Sequence, residues 1–232
     1  MTGCCPIVEL RQYTLRYNCR DALITLFERE FIESQEALGI TLIGQFRDLD
    51  DPDRFVWLRG FVDMDTRRDA LGAFYGGPVW KTHRDAANAT MLDSDNVLLL
   101  RALPPDFGFH DLPTRTPADT GTDSGVIVAR LYYVETTALE SFTAFFNTIM
   151  RSAIERAGIR VLATFATENS TNTFPALPVR ENETVFAWFA RAGEPHGDIE
   201  YSREMAPPDV MRQLARKPEL LRLAPTARSL LH

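Results

Sequence analysis

Residues 7–15 alternate, with Val8 and Leu10 on one face and Glu9, Arg11 and Tyr13 on the other, which predicts a strand. From about 20 to 37 the period lengthens to that of a helix: Leu23, Leu26, Phe27 and Phe31 share a side, and Glu28, Arg29 and Glu33 lie largely outside. Gly39 supplies the stop signal. Ile40–Phe46 predicts a second strand, Asp48–Asp53 a polar turn around Pro52, and Phe55–Phe61 a third strand with Phe55, Trp57 and Arg59 set against Val56 and Leu58. A further helical region begins near Thr66, breaks at Gly76-Gly77-Pro78 and resumes over Val79–Met91, with Pro78 placed to open it. Asn96–Leu103 closes the unit as a strand, giving the βαββαβ order of a ferredoxin-like fold.

The same pattern then recurs. At a constant offset of 119, Arg11 falls on Arg130, Tyr13 on Tyr132, Phe27 on Phe146, Gly39 on Gly158 and Phe46 on Phe165. A repeat of this length signals two copies of one small domain rather than a solenoid. We expect a first ferredoxin-like domain over 6–103, a linker rich in Pro and Gly over 104–125, and a second domain over 126–232. In the second copy a helix is expected at 138–157 and strands at 159–166 and about 184–190. There Phe186 and Trp188 repeat Phe55 and Trp57 at an offset of 131, so the extra residues fall in the polar stretch Glu168–Glu183. A helix at 208–216 and a last strand at Leu220–Leu223, ended by Pro225, complete the expectation.

In each unit the helices cover one sheet face, leaving the other, carrying aromatic residues and Arg, to be buried by something else. Two such faces stack into a closed, barrel-like α+β sandwich, and the space between the sheets is then the natural place for a ligand. Covalent linkage makes that association intramolecular, although chains can still pair with one another, so a homodimer stays open.

Composition narrows the function classes. Hydrophobic residues at 45% and charged residues at 25% are ordinary for a globular protein, and the net charge of −7 argues against a nucleic-acid or anionic-membrane surface. No apolar run reaches membrane-spanning length, and no signal-peptide pattern opens the chain, which reads as cytoplasmic. Cys4 and Cys5 are adjacent and Cys19 is alone, a spacing that suggests neither a zinc site nor a disulfide framework. The sequence has no GxGxxG, P-loop, GxSxG, HExxH or EF-hand pattern, so neither a cofactor nor a metal is expected.

Arg11 and Tyr13, sharing a face, are the first candidates for chemistry. An enclosed Arg11 could bind a carboxylate, enolate or phenolate, with Tyr13 orienting the ligand or passing a proton; alternatively Arg11 simply pairs with Glu9 and braces the sheet. His83, on one stripe with Trp80, Ala87 and Met91, is the candidate general base, against the alternative of a histidine capping the core. Trp57 and Trp188 are expected as aromatic walls, Tyr75 at one mouth, and Arg59 as a second positive group. Asn88 is either a pocket donor or a polar residue late in a helix. Arg130 and Tyr132 repeat the pair in the second copy, but Val128 stands where the first has Glu9 and Ala190 where it has Arg59. A site that needs the glutamate therefore exists once.

The segments VELRQYTL, GITLIGQF, FYGGPVW and LRLAPTARSLL resemble the NIPSNAP family, in what looks like its bacterial tandem form. The resemblance spans nearly the whole chain outside the linker. It implies a dimeric-type α+β barrel and family-typical positions at Glu9, Arg11, Tyr13, Trp57, Pro78 and Trp80. The superfamily includes cofactor-independent monooxygenases, haem-handling proteins, lactone isomerases and cyclases. Of two main readings, the first leads and the second is the alternative. One is a metal- and nucleotide-free enzyme that isomerises, cyclises or oxygenates a hydrophobic, enolisable small molecule held between the sheets. The other is a non-catalytic ligand-binding or scaffold protein. Haem binding through His83 is a third.

Overall fold

In the structure, a computed structural model, residues 4–115, 125–192, 212 and 214–232 are described. Strand β1 (Ile7–Leu15) leads into a helical arm made of α1 (Arg20–Leu26), a π-helical turn over Phe27–Phe31, and α2 (Ile32–Glu36). Gly39, at φ 83°, turns the chain into β2 (Thr41–Asp48), and β3 (Arg54–Phe61) follows. Helix α3 (Met64–Gly76) starts ahead of the expected Thr66 because Asp63 caps it. The Asp63 carboxylate accepts from the Thr66 backbone N–H at 2.7 Å, and Thr66 Oγ1 accepts from the Asp63 N–H at 3.1 Å. Helix α4 (Pro78–Asn88) opens on Pro78 after the glycine break. A short β4 (Met91–Asp93), which the sequence pattern does not announce, pairs with the end of β1 before β5 (Val97–Ala102).

The second half runs β6 (Val126–Tyr133), a 3₁₀ turn at Thr136–Ala138, α5 (Leu139–Phe145), a π-helical turn over Phe146–Met150, α6 (Arg151–Arg156), β7 (Arg160–Thr167), β8 (Val185–Ala192) and β9 (Glu219–Pro225). The two π-helical turns begin at equivalent repeat positions, Phe27 and Phe146, and Gly158 takes the same φ of 83° as Gly39. Of the helix expected at 208–216, residues 208–211 and 213 lie outside the described residues, and the described end is not helical: Leu214 bridges to Val134 and 215–216 form a bend. Residues 116–124 of the expected linker also lie outside the described residues.

Among the described residues the strands form one antiparallel sheet in the order β3-β2-β9-β6-β8-β7-β5-β1, and β1 pairs back onto β3. Eight strands thus close a barrel, with β4 attached at the end of β1. The two halves join edge to edge, β2 to β9 and β5 to β7, which leaves no open edge among the eight.

The barrel interior is mostly apolar, although β1 also turns Gln12 inward, buried with both side-chain polar atoms unpaired. Val8 and Leu10 from β1, Val56 and Leu58 from β3, and Leu98 and Leu100 from β5 meet Ala129, Phe165, Phe189 and Leu221 from the second half, all buried. The helices lie outside, one group over each half, each with its own apolar layer against the sheet. This corrects the expected placement of Arg11, Tyr13 and Trp57, and with it the placement of a ligand between the sheets. The alternation on β1 is as expected, but Val8 and Leu10 point into the barrel, and Glu9, Arg11 and Tyr13 point out beneath the helices. An eight-stranded barrel is just wide enough for its side chains to fill. Charged groups there would lack partners, whereas the helix layer provides them.

Cys4 and Cys5 are joined in a disulfide, contrary to the expectation from their spacing. Linking neighbouring residues closes no length of chain, so the bond adds little entropic stabilisation to the fold. No helix among the described residues is long and apolar enough to cross a membrane.

Candidate functional site

Cross-strand register assembles the first part of the site. Glu9 on β1 lies directly opposite Arg59 on β3, and Arg11 opposite Trp57, all on the helix-facing side. Helix α3 adds Arg67, whose side chain continues the buried stripe of Ala70, Leu71 and Phe74. The result is one carboxylate held by three guanidiniums. Glu9 Oε2 accepts from Arg11 Nη1 at 2.7 Å and Arg59 Nε at 2.8 Å, and Oε1 accepts from Arg67 Nε at 2.7 Å. All four side chains are buried to 1% exposure or less.

Further partners extend the network. Arg11 Nε donates to Tyr13 Oη at 2.9 Å, and Arg59 Nη1 to Gln35 Oε1 at 3.1 Å and Tyr75 Oη at 3.4 Å. The Gln35 amide in turn donates to the Phe31 carbonyl, at the end of the first π-helical turn. Arg67 Nη1 reaches across to the second half, donating to Asn172 Oδ1 at 3.0 Å and Thr173 Oγ1 at 3.3 Å.

Charge does not balance here. Three guanidiniums on one carboxylate leave a formal +2, and no second carboxylate among the described residues pairs with them. Arg67 Nη2 and Trp57 Nε1 are buried without a hydrogen-bond partner; Arg59 Nη2 lies 2.7 Å from Glu9 Oε2 but off the line of a hydrogen bond. Burial alone would raise the Glu9 carboxyl, but Arg59, Arg11 and Arg67 override it and hold Glu9 far below the usual carboxylate range. Burial presses Arg11 down, yet Tyr13 and Glu9 hold it above its ordinary value. Burial raises Tyr13 against the opposing pull of Arg11, so the phenol stays protonated at neutral pH. Burial lowers Arg67, with Glu9 acting against it.

Aromatic rings wall the cluster. Trp57 takes Tyr13 edge-on at 5.8 Å and Phe27 at 4.8 Å, with the guanidiniums of Arg59 and Arg11 over its ring at 5.1 and 5.5 Å. Tyr75 and Trp80, on either side of the Gly76-Gly77 break, meet at 4.9 Å and are half-buried. Between these rings lies a cavity of about 30 Å³, lined by Tyr13, Phe27, Trp57, Tyr75, Trp80 and Met91 among others. At roughly 10–15 Å³ per water it has room for about two or three water molecules. A larger guest therefore requires movement of its cover.

Of the residues singled out in the sequence, Glu9, Arg11, Tyr13, Trp57, Arg59, Tyr75 and Trp80 come together here. His83 does not join them. It stands on the outer flank of α4, 27% exposed, with Nε2 3.4 Å from Glu30 Oε2, and is not on the cavity wall. Asn88 is exposed at the end of α4. Tyr132 and Trp188 belong to the separate layer over the second half, where Arg130 sits over the Tyr132 ring at 5.9 Å. Sequence reasoning missed Arg67, Gln35 and Asn172. The first was detectable, since Arg67 stands three, four and seven residues before Ala70, Leu71 and Phe74 and so extends their stripe. Among the described residues no cluster of His, Cys, Asp or Glu is placed to hold a metal.

Fold and site together describe an eight-stranded antiparallel α+β barrel with a buried arginine cluster beneath the helices of its first half. Residues 8–104, which carry the whole of Glu9, Arg11, Arg59 and Arg67, match the NIPSNAP family model. Over nearly the full chain the fold is similar to that of a proposed monooxygenase from Fusobacterium nucleatum (TM-score 0.59, 9% identity, covering 97% of this chain and 94% of that one). It is also similar to one from Lactobacillus acidophilus (TM-score 0.55, 16% identity, 95% and 94%). A NIPSNAP-like domain protein from Burkholderia xenovorans is 29% identical over 49% of this chain and 97% of its own, with a TM-score of 0.41. A search of curated proteins found no significant match.

Proposed function

We propose that the chain binds a hydrophobic small molecule carrying one anionic oxygen group, in a site made of Arg11, Arg59, Arg67, Tyr13 and the surrounding aromatic rings. One observation carries this reading: the uncompensated positive charge around Glu9, fully buried and with unpaired N–H groups still on offer. An unpaired buried charge costs several kcal/mol, so an anion entering this space gains what no solvated arginine could offer it. The rings of Trp57, Tyr75 and Trp80 supply the apolar contact for the rest of such a ligand.

A catalytic extension has one observation in its favour. Tyr13 Oη accepts from Arg11 and remains protonated, so its own proton is available to an oxygen in the cavity it lines. This suits proton transfer to an enolate, as isomerisation, cyclisation or cofactor-free oxygenation would use, with the arginines stabilising the developing charge.

Calorimetric titration with 2-naphthoate tests the binding reading. Wild type is expected to bind it, and Arg59→Met to weaken binding by at least about 10-fold, the loss of one charge-assisted hydrogen bond. Equal affinity in wild type and Arg59→Met rejects the site.

A further inference from the structure

The cover over this site comes from the other half of the chain. The turn between β2 and β3 is short, whereas its repeat equivalent between β7 and β8 spans residues 168–184. Its base is pinned to β5 by backbone bonds from Glu168 N–H to the Leu99 carbonyl at 2.9 Å and from Arg180 N–H to the Val97 carbonyl at 2.8 Å. Its tip folds over the first half. The Phe174 ring stacks on Tyr75 at 5.9 Å with 24° between planes, and Leu177 and Val179 pack against the apolar layer below. Thr173 Oγ1 donates to the Met64 carbonyl at 3.0 Å, at the start of α3.

The tip is also internally shaped. Asn172 Oδ1 accepts from both the Phe174 N–H at 3.1 Å and Arg67 Nη1 at 3.0 Å, while its amide donates to the Leu177 carbonyl at 2.9 Å. A flat ring on Tyr75 and a side-chain oxygen on Arg67 are therefore presented together by a short segment of chain. Arg67 keeps Nη2 unpaired beside this contact. On the outer side, the base of the loop borders an open cleft of about 600 Å³, lined by Thr167, Asn169, Arg180 and Asn182 among others, so the loop is not packed from behind along that stretch.

We propose that the β7–β8 loop is a lid acting in cis, and that Asn172 and Phe174 occupy the places of a ligand's acyl oxygen and of its ring, which assigns the ligand to the flat aromatic carboxylates. The inference rests on the binding reading given above and adds the entrance and the ligand class. A neutral amide oxygen is a weaker partner for a guanidinium than a carboxylate, which adds its own charge to the bond and can accept two parallel N–H groups. An aromatic acid therefore displaces the tip by taking over the Asn172 and Phe174 contacts, and the closed lid reduces apparent affinity to its intrinsic value multiplied by the fraction of molecules that are open.

The test compares wild type, Asn172→Ala/Phe174→Ala and Phe174→Leu in titrations with 2-naphthoate, alongside hydrogen exchange of wild-type residues 170–178 with and without it. Expected results are affinity about 10-fold higher in the double variant, a smaller rise in Phe174→Leu, and faster exchange of the loop when 2-naphthoate is bound. Exchange in the wild type needs no variant to fold. Equal or weaker binding by the loop variants, or loop exchange that is unchanged or slowed, overturns the lid. If wild type binds through Arg59 and the loop does not respond, the lid falls and the binding reading stands. If neither wild type nor any loop variant binds 2-naphthoate, both fall.

Discussion

Replacing Glu9 with glutamine is expected to lower the unfolding free energy by about 3–5 kcal/mol at neutral pH, the scale for removing one partner of a buried ion pair. The variant keeps the shape of the side chain but leaves Arg11, Arg59 and Arg67 with no anion between them. Replacing Arg67 with methionine should cost much less, about 1–2 kcal/mol, because it reduces the excess positive charge and leaves Glu9 two guanidinium partners. Acid makes the comparison sharper. The folded carboxyl titrates far below its usual value of 4.5, so its stabilisation is complete above that pH and drains away as the pH falls towards the depressed value. The gap between wild type and Glu9→Gln is therefore widest near neutrality and narrows below about pH 4.5. Urea unfolding at pH 7 and pH 3.5 measures it. A gap that is equal at the two pH values, or an Arg67→Met variant as unstable as Glu9→Gln, would show that charge excess does not govern this cluster.

The alternation along β1 identifies which residues share a face but not which face is inside. The reason is visible in the burial of the strand: of its nine residues only Thr14 is exposed. A strand covered on both sides carries no polar-out signal, and Glu9 and Arg11 are as buried as Val8 and Leu10, with Tyr13 buried beside them. Placing the charged face correctly requires knowing where its partners come from, and these lie on α2, α3 and the loop after β7. The helix break at Gly76-Gly77-Pro78 was legible because backbone chemistry fixes it locally. The π-helical turns were not, since Phe27–Phe31 fits an α-helical stripe equally well. Asn172 and Phe174 lie 163 residues from Glu9 or more, and nothing in their local sequence says that the loop leans back over the first half.

Transplanting the carboxylate to the second half is expected to have the opposite dependence on pH. Val128 holds the repeat position of Glu9, fully buried, and its surroundings offer the half-buried Arg130, Tyr132, Trp188 and Ala190 rather than three guanidiniums. Val128→Glu should destabilise the protein by roughly 3 kcal/mol or more at pH 7, because the desolvation of a carboxylate is returned only in part by a single arginine. Burial then raises the new carboxyl above its unfolded value, so the penalty grows as the pH rises through the ordinary carboxylate range and fades below it. Adding Ala190→Arg, at the repeat position of Arg59, should recover part of the loss by restoring the cross-strand pair, since Val128 and Ala190 face each other on β6 and β8 as Glu9 and Arg59 do on β1 and β3. Thermal unfolding of the single and double variants at pH 4 and pH 7 reads both effects. If Val128→Glu is tolerated at pH 7, the second half already holds compensating charge, and specialisation of the first half would lose its electrostatic basis.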